Sequence, residues 1–246
     1  WVGMVVLRSM ILVQTPPSLA EKLPRLAEFY HQPVIMNISG FSVDEYVECC
    51  AKADGTSEII ELNISCPNVH GGGMSFGASA ELAAEVTRAV AEVVAESKLF
   101  VKLSPNVTDV VEIGAACVEA GADGLTLINT LLGMRIDVAR RRPVIAAGAA
   151  GFSGPAIFPV ALRMTYQVSE ALGVPVMGSG GVRSARDVIE MMMAGAGAVQ
   201  IGSEGLRNPL VIPQILKELP SVMDSLGIET LQEIIGAALP QVGEVG

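Results

Sequence analysis

Apolar and polar positions along the chain form strand-like and helix-like segments that alternate. Short apolar runs bounded by turn residues predict strands, and amphipathic stretches between them predict helices. We predict strands at 34–38, 59–64, 99–103, 124–128, 174–178 and 197–202. We predict helices at 43–53, 78–97, 106–121, 155–172 and 184–194, with more helix after Pro209. Ser42 and Asp44 are candidate capping residues for the first helix. Such alternation is typical of a parallel α/β sheet.

The count of strands bears on the architecture. A closed (β/α)8 TIM barrel needs eight strands, whereas about six strand–helix units are recognisable, and residues 1–14 show no strand–turn–helix pattern. We therefore expect a single domain over residues 1–246, a TIM barrel incomplete at its amino end, with an atypical start at 1–20. Residues 130–154 interrupt the alternation, and loops of that length in compact domains are usually functional.

Composition narrows the classes of partner. The chain has 246 residues, a net charge of −10 and 50% hydrophobic residues. This charge argues against nucleic acid or an anionic membrane as the main partner. The four cysteines form neither a C-x-x-C pair nor a metal-ligand spacing, so we expect free thiols in a reducing cytoplasm. No apolar run reaches the roughly 18 residues of a membrane span, and a signal peptide is not expected.

The first candidate for chemistry is the turn after the strand at 59–64. Asn63, Ser65, Cys66 and Asn68 cluster at one strand end, where α/β folds place their active sites. A thiol there suits proton abstraction if its pKa is matched to the task. A lone cysteine is more often a small buried hydrophobe, and we assign that role to the remaining cysteines, Cys49, Cys50 and Cys117.

Two further strand ends carry polar candidates. Lys102 lies in a strand that should be buried, where a lysine is costly unless it meets an anion; the alternative is that it reaches solvent at the strand end. Asn129 and Thr130 end the fourth strand. An asparagine amide can bind a heterocycle edge or a carboxylate, although asparagine is also common in turns.

Glycine clusters follow the last two predicted strands. Gly178–Gly181 and Gly202–Ser203 end successive apolar strands, where backbone N–H groups can approach a phosphate. Tight turns are the alternative. The spacing is not the dinucleotide fingerprint, so NAD on this chain is not implied. The run Arg140–Arg142 is either a solvated charge run or a lid or partner contact, and we favour the first.

Several motifs together resemble the dihydroorotate dehydrogenase family, whose members are FMN-dependent (β/α)8 barrels of pyrimidine (UMP) biosynthesis. The resemblance runs from about Glu21 to about Leu210. It is carried by residues 63–69, 101–107, 128–134, 152–156, 178–182 and 199–203. It implies an oxidoreductase that converts dihydroorotate to orotate. A cysteine at position 66, with the glycine run 71–73, resembles the cytoplasmic subclass that uses NAD⁺.

The resemblance also implies a role for each matching position. Cys66 matches the base that removes a proton from dihydroorotate C5 while C6 gives hydride to the flavin. Substrate contacts are implied for Asn63, Asn68, Asn129 and Thr130. Contacts to FMN are implied for Asn37, Asn63, Lys102, Ile128, Gly154, Gly180, Gly181, Gly202 and Ser203. The implied assembly is a homodimer core with an iron–sulfur flavoprotein subunit that carries FAD and a [2Fe–2S] cluster. No metal is implied on this chain.

The chain departs from the family at its start. Family members carry two more strands there, with a flavin-binding lysine and an Asn-x-x-Gly-Leu substrate loop, and residues 1–14 match neither. A truncated, misread or fused start explains both differences. A non-catalytic flavin-barrel remnant is an alternative that this difference suggests. A second alternative is a dihydropyrimidine dehydrogenase-like subunit, which shares the barrel and a cysteine loop.

Overall fold

A computed structural model describes residues 25–26, 28–65 and 76–240, and the backbone of two short strands at 6–7 and 10–13. The elements of the first half are β1 (Val6–Leu7), β2 (Met10–Val13), β3 (Ile35–Ile38), α1 (Val43–Ala53), β4 (Ile59–Asn63), α2 (Ala80–Ala91), β5 (Lys98–Lys102), α3 (Val110–Glu119) and β6 (Gly124–Leu127). The second half contains β7 (Leu131–Gly133), β8 (Ile136–Asp137), β9 (Arg142–Pro143), β10 (Ala150–Phe152), α4 (Phe158–Leu172), β11 (Val176–Ser179), α5 (Ala185–Met193), β12 (Ala198–Gln200), α6 (Ser203–Arg207) and α7 (Val211–Leu226). Single 3-10 turns lie at Phe76–Ala78, Pro155–Ile157 and Gln232–Ile234.

Eight strands form one parallel sheet in the order β1-β12-β11-β6-β5-β4-β3-β2. The edge strands β1 and β2 are consecutive in the chain, and Leu7 and Met10 are no more than about 11 Å apart at 3.8 Å per residue. The two edges of the sheet therefore approach each other, as in a barrel. The six predicted strands are confirmed, whereas the two strands within residues 1–14 were not predicted.

Alternation along the strands divides the side chains between two environments. Met36, Ile38, Ile60 and Leu62 belong to the main core, which includes the buried faces of the helices. Residues one position away point to the opposite face, where Ile35, Phe100 and Met177 form a small separate cluster. Period-two alternation explains this division, because successive side chains leave a strand on opposite faces.

The inner face changes character along the strands. Its amino-terminal half is the apolar Ile35–Phe100–Met177 cluster, below which a cavity of about 680 Å³ opens at the amino end. Its carboxyl-terminal half is polar and buried, with Asn37, Glu61, Lys102, Thr126 and Gln200. All eight strands run in parallel, so this polar layer lies toward their shared carboxyl end.

The helix boundaries follow local capping. Ser42 Oγ accepts a hydrogen bond from Glu45 N, which confirms it as the cap of α1. The second predicted helix, 78–97, is six residues too long at its carboxyl end, because α2 ends at Ala91. Beyond it, the Asp54 carboxylate accepts hydrogen bonds from the backbone N–H groups of Ala95, Glu96 and Ser97. That carboxylate holds residues 95–97 in a turn that leads into β5.

Residues 130–154 were predicted as a long irregular segment, but residues 131–152 within it contain two antiparallel ribbons. β7 pairs with β10, and β8 pairs with β9. Most residues of this ribbon segment are exposed. The segment projects from the carboxyl end of β6 and returns to the barrel at α4.

We predict that Asp54→Asn lowers the free energy of unfolding by about 1 kcal/mol at pH 7, since hydrogen bonds from three N–H groups to a charged acceptor are weakened. Partial desolvation opposes ionisation of Asp54, but the N–H groups of Ala95, Ser97 and Glu96 outweigh it and lower its pKa. A lowered folded-state pKa stabilises the fold above the unfolded value near 3.8, and that stabilisation disappears as the pH falls through the folded-state pKa.

Urea unfolding between pH 3 and 7 is the measurement. The difference between Asp54→Asn and the unsubstituted chain should shrink toward acid pH. The matched control is Asp44→Asn, the same change at an exposed position in the first turn of α1. Equal destabilisation by the two substitutions would contradict the role given to Asp54.

Candidate functional site

A cavity of about 480 Å³ opens at the carboxyl ends of β5, β6, β11 and β12. Eight residues that the sequence analysis assigned to substrate or flavin line it: Lys102, Ile128, Asn129, Thr130, Gly180, Gly181, Gly202 and Ser203. Its size falls in the ordinary range for small-molecule pockets, and its lining mixes apolar walls with a few polar groups. Residues that are far apart in sequence thus meet at the end of the barrel where α/β enzymes bind ligands.

Lys102 lies beside this cavity with its ammonium group buried. Its side chain is 6% exposed, and Nζ donates to Glu61 Oε1 and to Gln200 Oε1, each at 3.2 Å. The expectation that this lysine meets an anion is therefore confirmed, and the alternative that it reaches solvent is wrong.

Glu61 is the anion, and it is completely buried. Besides Lys102, its carboxylate accepts hydrogen bonds from Asn37 Nδ2 at 2.5 Å and from Gln200 Nε2 at 2.6 Å. Burial works against ionisation, but the Lys102 ammonium and the donors of Gln200 and Asn37 outweigh it and lower the pKa of Glu61. The group is therefore a carboxylate at neutral pH.

A line of three asparagine side chains leads from this ion pair to the cavity. Asn63 Nδ2 donates to Asn37 Oδ1 at 3.5 Å, and Asn129 Nδ2 donates to Asn63 Oδ1 at 3.4 Å. Both bonds are long. Asn63 is fixed more firmly through its backbone, whose carbonyl accepts a hydrogen bond from the Tyr46 hydroxyl at 2.7 Å.

Ser65 anchors the turn that precedes Cys66 in the sequence. Its hydroxyl donates to the Lys102 carbonyl at 2.9 Å, and its backbone N–H donates to Asn63 Oδ1 at 3.2 Å. The structure thus places the start of this turn against the end of β5. Cys66 and Asn68 themselves lie outside the described residues, so their assigned roles stay predictions.

Two glycines form a tight wall of the cavity. Gly181 has φ +77°, and a Cβ atom there would lie 2.8 Å from the Gly154 carbonyl oxygen and 2.8 Å from Phe158 N. A Cβ at Gly180, with φ +130°, would lie 2.8 Å from Ala161 Cβ. Gly154 was predicted in the site and touches it through Gly181. In contrast, a Cβ at Gly202 would meet nothing within 4 Å, so the opposite wall is open.

Sequence analysis missed Glu61 and Gln200. Both occupy inward-facing positions of apolar strands, where a charged or amide side chain is rare without a partner. This is the same signal that singled out Lys102. It was not applied to Glu61 because that residue had been counted as part of an apolar run.

The remaining described cysteines have the structural role predicted for them. Cys50 and Cys117 are buried in the core, and Cys49 is half-buried against it. Burial raises the pKa of all three thiols, that of Cys117 to about 11. These thiols are therefore protonated at neutral pH and unsuited to proton abstraction.

Comparison with known proteins identifies the family whose members this chain resembles. The family model "Dihydroorotate dehydrogenase" matches residues 15–223. The chain is 51% identical over 220 residues to the catalytic subunit of dihydroorotate dehydrogenase B (NAD(+)) from Anoxybacillus flavithermus, covering 89% of this chain and 70% of that protein. The corresponding subunit from Halalkalibacterium halodurans is 49% identical over 222 residues, with 89% and 72% covered.

A solved structure supports the fold. The crystal structure of DHODH from Eimeria tenella, in complex with ferulenol, superposes with a TM-score of 0.74 at 21% identity. The match covers 90% of this chain and 66% of that one. The sheet and its helices are therefore those of an incomplete TIM barrel.

We predict that Gly181→Ala lowers the free energy of unfolding by about 2 kcal/mol, because the new methyl group combines a left-handed φ with two backbone clashes. Gly202→Ala, where a methyl group has room, is the matched control and should change it by less than about 1 kcal/mol. Urea denaturation of the three proteins measures both values. Comparable losses at the two positions would contradict the account of the cavity wall.

Proposed function

The chain belongs to the dihydroorotate dehydrogenase family, and we propose that the cavity at the carboxyl ends of its strands holds FMN and dihydroorotate side by side. The chain is an oxidoreductase that converts dihydroorotate to orotate in pyrimidine biosynthesis. The observation that carries the proposal is the meeting of Lys102, Asn129, Thr130 and the two glycine sites in one cavity.

The residues present fit a flavin phosphate at one end of the cavity and a ring system at the other. The backbone N–H groups of Gly180, Gly181 and Gly202, with the Ser203 hydroxyl, are suited to a phosphate group. Ile128 supplies an apolar wall, and Gly154 shapes the turn behind Gly181. When bound, FMN would supply the acceptor for a hydride from the substrate.

Lys102 serves the opposite end of the cofactor. Its ammonium would stabilise negative charge on the ring of a bound flavin, because a buried cation acts through a low dielectric. Asn37 and Asn63 complete this end through the hydrogen bonds that tie them to Glu61 and to Asn129.

Amide groups bind the substrate in this proposal. Asn63, Asn68, Asn129 and Thr130 offer both donors and acceptors, as a molecule with a cyclic amide and a carboxylate requires. Cys66 removes the proton from C5 while the hydride leaves C6. The Ser65 hydrogen bonds to Asn63 and to the Lys102 backbone fix the residue that precedes this thiol in the sequence.

The relatives are named as catalytic subunits of an NAD(+)-linked enzyme, which implies a partner subunit for electron transfer. We propose that the partner carries FAD and a [2Fe–2S] cluster and passes electrons from FMN to NAD⁺. We also propose a cytoplasmic location, in keeping with the free thiols of Cys49, Cys50 and Cys117. Among the described residues, no helix is both long and apolar enough to cross a membrane.

The ribbon segment supports a homodimer. Seven of its large apolar side chains are 46–85% exposed: Leu132, Met134, Ile136, Val138, Val144, Ile145 and Phe152. Exposed apolar side chains in this number on one short segment favour an interface. The segment also has four arginines against one aspartate in a chain of net charge −10, so its charge complements the acidic surface of a second copy.

We predict that dihydroorotate reduces the bound flavin under anaerobic conditions and that Cys66→Ser slows this step at least 100-fold at pH 7. A serine hydroxyl ionises far less readily than a thiol, and positioned general bases contribute factors of this order. Flavin absorbance in a stopped-flow mixer gives the rate, and flavin fluorescence confirms that FMN stays bound.

Cys49→Ser is the control, because this thiol is half-buried on α1 and should not affect the rate. Unchanged reduction in Cys66→Ser would remove Cys66 from the mechanism. Reduction by dihydrouracil instead of dihydroorotate would favour the dihydropyrimidine dehydrogenase-like alternative.

We predict that Val138→Asp weakens self-association at least tenfold, because it places a charge on the most exposed apolar position of the ribbon segment. Analytical ultracentrifugation measures the dissociation constant. Leu216→Asp, at an exposed position of α7, is the control and should leave the dimer intact. A monomeric unsubstituted chain, or an undisturbed dimer in Val138→Asp, would show that this segment is not the dimer interface.

A further inference from the structure

Glu61 has no part in the reaction as proposed, yet it is the most enclosed charge near the cavity. Its side chain is 0% exposed, and that of Lys102 is 6% exposed. Glu61 and Lys102 form a hydrogen-bonded cluster with Asn37 and Gln200. Each of these four side chains comes from a different strand: Asn37 from β3, Glu61 from β4, Lys102 from β5 and Gln200 from β12. A buried ion pair costs desolvation energy, and replacement by apolar residues is often neutral or stabilising, so its presence beside a ligand cavity calls for a functional reason.

The hydrogen bonds require a carboxylate at position 61. Oε1 accepts from Asn37 Nδ2 and Lys102 Nζ, and Oε2 accepts from Gln200 Nε2. A glutamine would turn its own NH2 group toward one of these donors, because an amide has a single acceptor oxygen. The same carboxylate therefore orients Lys102 and supplies its counter-charge.

That counter-charge changes what a molecule in the cavity experiences. With Glu61 ionised, this pair has no net charge; loss of the Glu61 carboxylate makes the charge beside the cavity more positive by one unit in a low-dielectric interior. Two-electron reduction of a flavin adds negative charge to its ring. An ammonium that has lost the Glu61 carboxylate would stabilise the reduced form more than the ion pair does.

We propose that Glu61 is a positioning residue that fixes the Lys102 ammonium and, by offsetting its charge, holds down the reduction potential of the flavin in the cavity. This inference rests on the proposed function. This role differs from a packing role, because it affects the equilibrium between the oxidised and reduced states of the bound flavin.

The test is the midpoint potential of FMN bound to Glu61→Gln, measured by reduction with xanthine oxidase against reference dyes. We expect the ratio of reduced to oxidised flavin at a given potential to rise at least tenfold, a positive shift of about 30 mV for a two-electron couple. The matched control is Glu58→Gln, the same loss of charge just before β4, where the Glu58 carboxylate accepts a hydrogen bond from Val34 N. A potential equal to that of the unsubstituted chain in Glu61→Gln, or an equal shift in Glu58→Gln, would overturn the proposal.

Glu61→Asp covers the case in which Glu61→Gln does not fold. It keeps the charge and shortens the reach, so it should weaken FMN binding while leaving the potential near that of the unsubstituted chain. A large positive shift in Glu61→Asp would contradict the charge argument.

Measurements on the flavin-free protein distinguish a failure of this inference from a failure of the proposed function. Failure of the unsubstituted chain to bind FMN would contradict the proposed function, while the ion pair can still be tested by urea unfolding of Glu61→Gln, Lys102→Met and the double variant. We expect the double variant to be more stable than Glu61→Gln alone, because it no longer buries an ammonium without its counter-ion. Additive losses would overturn the role of Glu61 in holding the charge of Lys102.

Discussion

The buried pair of Glu61 and Lys102 is the constraint around which the carboxyl end of this barrel is organised. It links β4 to β5 directly, and through Asn37 and Gln200 it reaches β3 and β12. Charges in such a place are tolerated only when paired and hydrogen-bonded, so each of the four side chains depends on the other three. The position of the Lys102 ammonium beside the cavity is thus fixed by strands from opposite parts of the chain.

Two cavities with different linings lie at opposite ends of the strands. The larger cavity, about 680 Å³ at the amino end, has an almost wholly apolar lining in which Glu58 is the one charged side chain among the described residues. The smaller cavity at the carboxyl end contains the lysine, the amides and the glycines. Volume alone would favour the cavity at the amino end of the barrel. Convergent polar groups and buried charge favour the cavity at the carboxyl end, because these are the features that orient a ligand.

How well each feature could be predicted depends on how far apart in the sequence its interacting residues lie. The bounds of α1 were predicted to the residue because the Ser42 cap is local, whereas α2 was overextended because Asp54, about 40 residues earlier, holds the turn beyond it. The strands within residues 1–14 depend on pairing with β12 and β3. Eight residues assigned to substrate or flavin from the motifs line one cavity, and their roles there stay predictions. Glu61 was missed because it lies inside an apolar run and its partners Lys102 and Gln200 are 41 and 139 residues away in the sequence.

The ribbon segment connects the proposed interface to the proposed site. Thr130 and Ser153, which flank it, both line the cavity. Asn106, in the loop after β5, donates from Nδ2 to the Thr130 carbonyl at 3.0 Å and accepts at Oδ1 from Leu132 N at 2.8 Å. The base of the ribbon is therefore tied to the strand that carries Lys102. In the proposed dimer, a second copy on the exposed apolar side chains would restrain Thr130 and Ser153 through the same backbone. Covalent continuity and these two hydrogen bonds would then couple self-association to the shape of the cavity.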